Sequence, residues 1–235
     1  MLRRKLASGV LLLGLLGLVA AGFSMMKIHL FADFDVHEES GGGIKIEIGT
    51  LVPIAGAAVF DVDFPQPNNG VLVVGENNTG APARLRGELT SPVTSAAAYV
   101  SFRLTPIENY GDLVVSLAED GESGMIDITF DPDGRVRVGN ESRPLPGLPG
   151  DDIHVRLELR DSLFGHKTFV LTLEGPLGFE ELNGSLGTDH GALEVIEFMR
   201  LGGSSGAIWH LDELLVTSSV PKPFSLFGYV LDLSQ

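Results

Sequence analysis

Apolar and polar residues alternate along much of the chain after residue 25. One such stretch covers residues 28–34 and the next covers residues 44–48, with three glycines at 41–43 between them. Side chains two positions apart lie on the same face of a strand, so this period predicts strands with one buried face. We expect these two stretches to pair as a hairpin.

Further stretches of the same kind follow at short spacing. They are residues 57–62, 71–74, 83–89, 99–104, 112–117, 125–130, 135–138, 153–159, 168–173, 193–201 and 208–216. Segments rich in Gly, Pro, Asn and Asp separate many of them, and these residue types favour tight turns. No stretch shows a helical period. Many short strands between turns predict an antiparallel sandwich or barrel.

The closing strand, residues 208–216, departs from simple alternation. A regular strand would place Trp209 and Leu211 on one face and Leu214 and Val216 on the other, so neither face would be purely apolar. A β-bulge at 212–213 would switch the phase and bring all four apolar side chains to the inner face. The pattern therefore predicts a bulge at that point, with Trp209 in the core.

The chain begins with a segment typical of a secretory signal peptide. Residues 3–5 are basic, residues 6–20 contain no charge, and the small residues Ala21 and Gly22 follow. This order predicts a signal peptide over residues 1–22 and a secreted or cell-envelope location, in the periplasm or at the surface of a prokaryote. The alternative is an uncleaved membrane anchor, because the apolar run approaches the length that a bilayer requires.

The remaining chain shows no clear internal boundary. Its pattern indicates an N-terminal hairpin at 25–56, either part of the sandwich or appended to it, a β-sandwich at 57–218 and a C-terminal tail at 219–235. Prolines at the start of the tail end the last strand, and its apolar segment is too short to span a bilayer. We expect the tail to dock on the domain or on a partner.

Composition narrows the possible partners. The 235 residues are 44% hydrophobic, which is ample for a core, and include no cysteine, which excludes disulfides and thiolate metal sites. The formal charge of -15 repels phosphate backbones and anionic lipid surfaces. We therefore expect no nucleic acid partner, and membrane contact only through the N-terminal segment if it stays uncleaved.

Several strand patterns resemble one superfamily. They are residues 99–104, the hairpin at 126–138, the pair 153–159 and 168–175, and the closing strand at 208–216. Together they are similar to the concanavalin A-like lectin and glucanase superfamily, in its laminin G-like or related bacterial forms. The resemblance implies an all-β jelly roll, so the expected fold is an antiparallel β-sandwich that follows a signal peptide.

The catalytic motif of that superfamily is missing. Its glucanases carry a Glu-x-Asp-x-Glu strand, whose carboxylates flank the scissile bond at a fixed separation. Glu194 and Glu197 are three positions apart, which places them on opposite faces of a regular strand. No catalytic residue is assigned. A glycan-active hydrolase with carboxylates from separate strands and a purely structural envelope protein remain as alternatives.

Other motifs are explained by turns. Residues 202–206 read G-x-S-x-G, but a strand follows where a nucleophile elbow needs a helix. Residues 131–134, Asp-Pro-Asp-Gly, fit a type I turn that closes the hairpin at 126–138 and lack the further carboxylates of a calcium loop. The histidines are dispersed along the chain. We therefore expect no metal site and no cofactor.

Two aromatic residues are candidates for ligand binding. The flat faces of Tyr110 and Trp209 could stack on the C–H face of a pyranose, although a tryptophan in a closing strand is more commonly part of the core. The sequence thus predicts an exported, non-catalytic β-sandwich module. Its expected partner is a carbohydrate or another extracellular protein.

Overall fold

A computed structural model gives the fold of the chain. It describes residues 27–32, 38–40, 43–55, 58–61, 71–74, 82–94, 97–119, 125–161, 167–187, 192–201 and 208–218. The leader expected at 1–22, the tail at 219–235 and the G-x-S-x-G segment at 202–206 lie outside the described residues. No helix in the described ranges is long and apolar enough to cross a membrane.

The described residues form strands joined by turns and short connections. The strands are β1 (Ile28–Ala32), β2 (Glu38–Ser40), β3 (Gly43–Lys45), β4 (Thr50–Ala55), β5 (Ala58–Asp61), β6 (Val71–Val74), β7 (Ala83–Val93), β8 (Ala97–Pro106), β9 (Leu113–Ala118), β10 (Ile126–Asp131), β11 (Arg135–Val138), β12 (Glu141–Pro144), β13 (Ile153–Asp161), β14 (Lys167–Gly175), β15 (Gly178–Gly187), β16 (Leu193–Arg200) and β17 (Trp209–Thr217). Each stretch predicted after residue 56 overlaps one of them. The predicted all-β class is therefore confirmed.

The strands build two antiparallel sheets that pack as a sandwich. Sheet I has the order β15-β14-β13-β8-β17-β6-β5, with β1 also paired to β17. Sheet II has the order β12-β11-β10-β9-β16-β7-β4-β3-β2. Side chains that alternate inward from both sheets form one buried core. Aromatic pairs join the two layers, since Phe102 of β8 meets Phe198 of β16 with ring centroids 5.4 Å apart.

The N-terminal strands pair differently from the predicted hairpin. β1 hydrogen-bonds to β17 in sheet I, whereas β3 joins β2 and β4 in sheet II. Among the residues that the structure describes, the two predicted partners are joined by one bridge, between Phe31 and Ile48. The alternation correctly located both strands but did not identify their partners. Pairing of β1 with β17 leaves Leu30 and Ala32 fully buried, which stabilises this arrangement.

Four strands lie outside the predicted stretches: β2, β4, β12 and β15. β4 lies inside sheet II, between β7 and β3, and the other three lie at sheet edges. β12 reads Glu-Ser-Arg-Pro and ends sheet II, and β15 carries two adjacent glutamates and three glycines and ends sheet I. Edge strands commonly hold charged residues and proline, which weaken the alternating signal. The predicted turn at residues 131–134 is present, since the Gly134 N–H donates to the Asp131 carbonyl over 3.1 Å and Gly134 has φ of 73°.

Candidate functional site

The predicted bulge in the closing strand is present and marks the candidate site. The register of β17 against β8 shifts between Asp212 and Leu215. Glu213 has φ of 49°, the only positive value among the non-glycine residues that the structure describes. The apolar residues on either side of the bulge all point inward and are fully buried: Trp209, Leu211, Leu214 and Val216. The bulge therefore reconciles two halves of a strand that are out of phase.

The bulge brings Glu213 to Arg103 on the outer face of sheet I. The Arg103 Nε–H donates to Glu213 Oε2 over 2.6 Å, and Nη1–H donates to Asp152 Oδ2 over 2.7 Å. The Glu213 N–H donates to Asp212 Oδ1 over 2.8 Å, which supports the unusual backbone. Arg103, Asp152 and Glu213 are called the Arg103 cluster below. It brings together three parts of the chain that are distant in sequence.

The charges of the cluster stabilise one another. Partial burial lowers the pKa of Arg103, but its hydrogen bonds to Glu213 and Asp152 outweigh this effect, so the pKa lies above its ordinary value. All three side chains remain partly exposed to solvent. The cluster therefore presents carboxylate acceptors and guanidinium donors at an accessible surface.

Ser101 and His154 lie beside the cluster on the same face. Ser101 Oγ is 3.3 Å from His154 Nε2, and His154 faces Arg103 across the β8–β13 ladder. Burial lowers the pKa of His154, and Arg156 and Arg103 lower it further against the opposite effects of Glu213 and Glu174. The imidazole is therefore neutral near pH 7 and can both donate and accept a hydrogen bond.

The candidate Trp209 does not line a binding surface, which corrects that assignment. Its side chain has 0% exposure, and its ring centroid lies 5.6 Å from that of Phe130 in the opposite sheet. A ring enclosed between two sheets cannot stack on a sugar. Trp209 is a core residue, in the position predicted for it from the bulge.

The candidate Tyr110 is held in a structural contact. Its hydroxyl donates to the Gly147 carbonyl over 2.6 Å, and its ring lies against Gly134, where an added Cβ would come within 2.8 Å of Tyr110 Cε2. Burial raises the pKa of the Tyr110 hydroxyl, with a further contribution from Asp151. One side of the ring is thus covered by the β10–β11 turn, and Tyr110 is not near the Arg103 cluster in any described contact.

The carboxylates that were weighed as catalytic do not form an open pair. Glu197 is buried on the outer face of sheet II, and Arg84 Nη2–H donates to both its oxygens over 2.6 and 2.7 Å. Asp152 and Glu213 do come from separate elements, but they bind two nitrogens of one guanidinium, Nη1 and Nε of Arg103. Among the described residues, no group of three or more His, Asp or Glu is arranged to hold a metal ion.

The Arg103 cluster was not evident from the sequence. The mixed apolar and acidic pattern of residues 208–216 located the bulge, and this was the available signal for Glu213. Arg103 carried no signal beyond its polar position in an alternating strand. Asp152 lies directly before β13, and it reaches Arg103 only because β13 pairs with β8.

No family model matches the chain, and no curated protein matches it in sequence. Solved structures do match in fold. The binding domain of botulinum neurotoxin DC in complex with rat synaptotagmin II aligns with a TM-score of 0.55 at 7% identity, over 83% of this chain and 49% of that one. The same binding domain in complex with SialylT gives a TM-score of 0.51 at 7% identity, over 83% and 48%. This chain thus spans about half the length of those domains.

A lectin-like domain is also similar over nearly its whole length. The Emp47p carbohydrate recognition domain aligns with a TM-score of 0.50 at 9% identity, covering 79% of this chain and 93% of that one. At such identities the match concerns the fold alone. It confirms the predicted resemblance to concanavalin A-like jelly rolls. All three matched structures are described as binding or recognition domains.

Proposed function

We propose that this chain is a glycan-binding module whose ligand contacts the Arg103 cluster on the outer face of sheet I. The observation that carries the proposal is the bulge that turns Glu213 toward Arg103 at φ of 49°. Bulges often re-aim a side chain beside a functional site, and backbone held in a rarely populated region concentrates at such sites. A strand that only had to fill the core would not need an acidic side chain at this position.

The chemistry of the face fits a neutral sugar. Sugar hydroxyl groups both donate and accept hydrogen bonds. Asp152 and Glu213 supply acceptors and Arg103 supplies donors. Ser101 is buried and lies 3.3 Å from Nε2 of the neutral His154, which leaves Nδ1 of that ring to donate or accept according to its tautomer. Two carboxylates and a formal chain charge of -15 disfavour an anionic ligand. The fold shared with a domain described as a carbohydrate recognition domain supports the same class of ligand.

A glycan array with purified protein tests this proposal. We expect retention of neutral glycans and about tenfold weaker binding for Glu213→Gln, because the variant loses a charged acceptor while it keeps the side-chain shape. Glu141→Gln is the matched control, since Glu141 is also an exposed carboxylate paired with an arginine, Arg143, but on sheet II. The control should bind like the parent.

Two outcomes would overturn the proposal. The parent protein could bind no glycan on the array, or Glu213→Gln and Glu141→Gln could both bind as tightly as the parent. Circular dichroism of each variant checks that the fold is retained.

A further inference from the structure

A row of facing residues continues from the Arg103 cluster across sheet I to its edge. Neighbouring positions pair directly from β17 through β8, β13 and β14 to β15. In spatial order the row is Asp212, Arg103, His154, Glu174 and Phe179. The residues that alternate with this row, such as Leu104 and Leu173, lie in the core. The whole row therefore lies on the outer face.

The row ends in an exposed aromatic side chain. Phe179 is 59% exposed and is the only aromatic among the exposed large hydrophobic residues in the described ranges. It takes no part in the buried core. A single exposed apolar residue needs no explanation, but a flat ring at the end of a polar row combines the two surfaces that a sugar presents, hydroxyl groups at its rim and C–H groups on its face.

The hairpin that carries Phe179 is held in place by its surroundings. The Leu177 N–H in the β14–β15 turn donates to the Pro146 carbonyl over 2.8 Å. At Gly175 an added Cβ would lie 2.6 Å from that same oxygen, so only glycine permits this approach. Glu174 is also fixed, since it forms an ion pair with Arg156. The ring thus projects from a backbone that is already positioned, which lowers the entropy lost on binding.

We infer that Phe179 is a stacking platform that extends the glycan site, so that the module binds a short neutral oligosaccharide lying across the strands. This inference rests on the proposed function, because the other end of the ligand would contact the Arg103 cluster. Three strand spacings separate β8 from β15, or about 14 Å, which exceeds the size of one pyranose ring. His154 and Glu174 lie between the two ends and face the hydroxyl groups of the intervening sugar.

The same region offers an alternative, a protein partner held by apolar contacts. Leu148 and Leu177 are also exposed, and with Phe179 they all lie within two residues of the Leu177–Pro146 hydrogen bond. A protein partner would bury the two leucines together with the ring. A sugar would use the planar face of Phe179 and leave Leu177 unused. The polar row that leads to Phe179 favours the sugar, and substitution of each side chain separates the two cases.

Calorimetry with gluco- and manno-oligosaccharides, from mono- to tetrasaccharides, tests the inference. For the parent we expect affinity to rise with length as the ligand reaches β15. Phe179→Ala should bind the monosaccharide like the parent but lose about tenfold in affinity for the longer ligands. Phe179→Tyr should restore the gain with length, whereas Phe179→Leu should not, because leucine keeps apolar area without a flat face.

Leu177→Ala is the matched control on the same hairpin and should leave every affinity unchanged. If the parent gains affinity with length and Phe179→Ala gains as much, the platform is refuted while the glycan site stands. If Leu177→Ala and Phe179→Leu behave alike and both weaken binding, the region acts as a general apolar patch and the platform is also refuted. If no saccharide binds the parent, the proposed function itself fails.

Discussion

Trp209 is an aromatic residue that its sequence position allows to be either a surface for a ligand or part of the core. It is the largest fully buried side chain in the described residues and packs against Phe130 between the sheets. Because of the bulge, Leu211, Leu214 and Val216 share the inner face of β17 with Trp209, so the indole lies between the sheets and is not exposed to solvent. Loss of such a ring leaves a cavity that the surrounding strands can only partly fill.

We therefore expect Trp209→Ala to lower the free energy of unfolding by about 3 to 5 kcal/mol. Denaturant titration followed by circular dichroism measures the change, since the variant has no tryptophan for fluorescence. Phe179→Ala removes an exposed ring and serves as the comparison, with an expected change within about 0.5 kcal/mol. Equal stability of Trp209→Ala and the parent would show that the indole is not a core residue.

His154, beside the Arg103 cluster, should make the stability of the protein depend on pH. Because burial and two arginines lower its pKa in the folded protein, the unfolded chain binds a proton more readily at mildly acidic pH. Its contribution to stability is fully present above the unfolded value of about 6.5 and is lost as the pH falls through the folded value. Parent stability should therefore decrease below about pH 6.5.

His154→Gln isolates this contribution from that of the other histidines. We expect the variant to show a smaller loss of stability on acidification than the parent, because glutamine does not titrate. Thermal unfolding in a buffer series from neutral to acidic pH measures both proteins. Parallel curves for parent and variant would show that His154 has the same proton affinity in the folded and unfolded states.

At the scale of elements, the closing strand has the largest effect on the architecture. β17 pairs with β8, β6 and β1 and lies in the interior of sheet I. The inward-facing residues are at odd positions before the bulge, Trp209 and Leu211, and at even positions after it, Leu214 and Val216. The extra residue at the bulge allows this change of alternation within one strand. A regular strand with this sequence would expose Leu214 and Val216 or Trp209 and Leu211.

Deletion of Glu213 should therefore destabilise the protein far more than its substitution. Without the extra residue, the segment after the bulge shifts by one position and turns Leu214 and Val216 outward, at a cost of about 1.5–3 kcal/mol for each side chain. That sum approaches the whole stability of many domains. Glu213→Gly keeps the residue count and suits positive φ, so we expect it to stay close to the parent.

Denaturant unfolding of both variants measures the difference. If the deletion variant unfolded at the same denaturant concentration as Glu213→Gly, the phase argument for the bulge would be wrong. Retained native dichroism of Glu213→Gly would also show that the fold does not depend on the ion pair with Arg103.

The strands differ in how well the sequence revealed them. The interior strand β13 alternates buried and less buried residues, and β8 does so except at Ser101, which is also buried, so periodicity located both strands. The edge strands β12 and β15 pair on one side only and gave no usable period, because β12 carries two charges and a proline and β15 carries two glutamates and three glycines. Edge position alone does not decide this, since the edge strand β5 was predicted and the interior strand β4 was not. Charged residues, glycine and proline within a strand are what obscure its alternation.

At the scale of the whole molecule, the candidate site exists only after both long-range pairing and sheet order are set. The Arg103 cluster combines β8, the residue before β13 and the bulge in β17, which are separated by up to 110 positions in the chain. Phe179 joins the same face through β14 and β15. The contacts within the Arg103 cluster join residues 49 and 110 positions apart, so local pattern and spacing carry no information about them.

The sequence by itself determined the all-β class, most interior strands, the turn at 131–134 and the bulge in β17, because each follows from the local alternation of apolar residues or from the backbone preferences of turn residues. Tertiary structure decided which strands became partners, the placement of β1 beside β17, and the assembly of the Arg103 cluster and its row to Phe179. These depend on which faces are covered by the opposite sheet and on contacts between residues far apart in the chain.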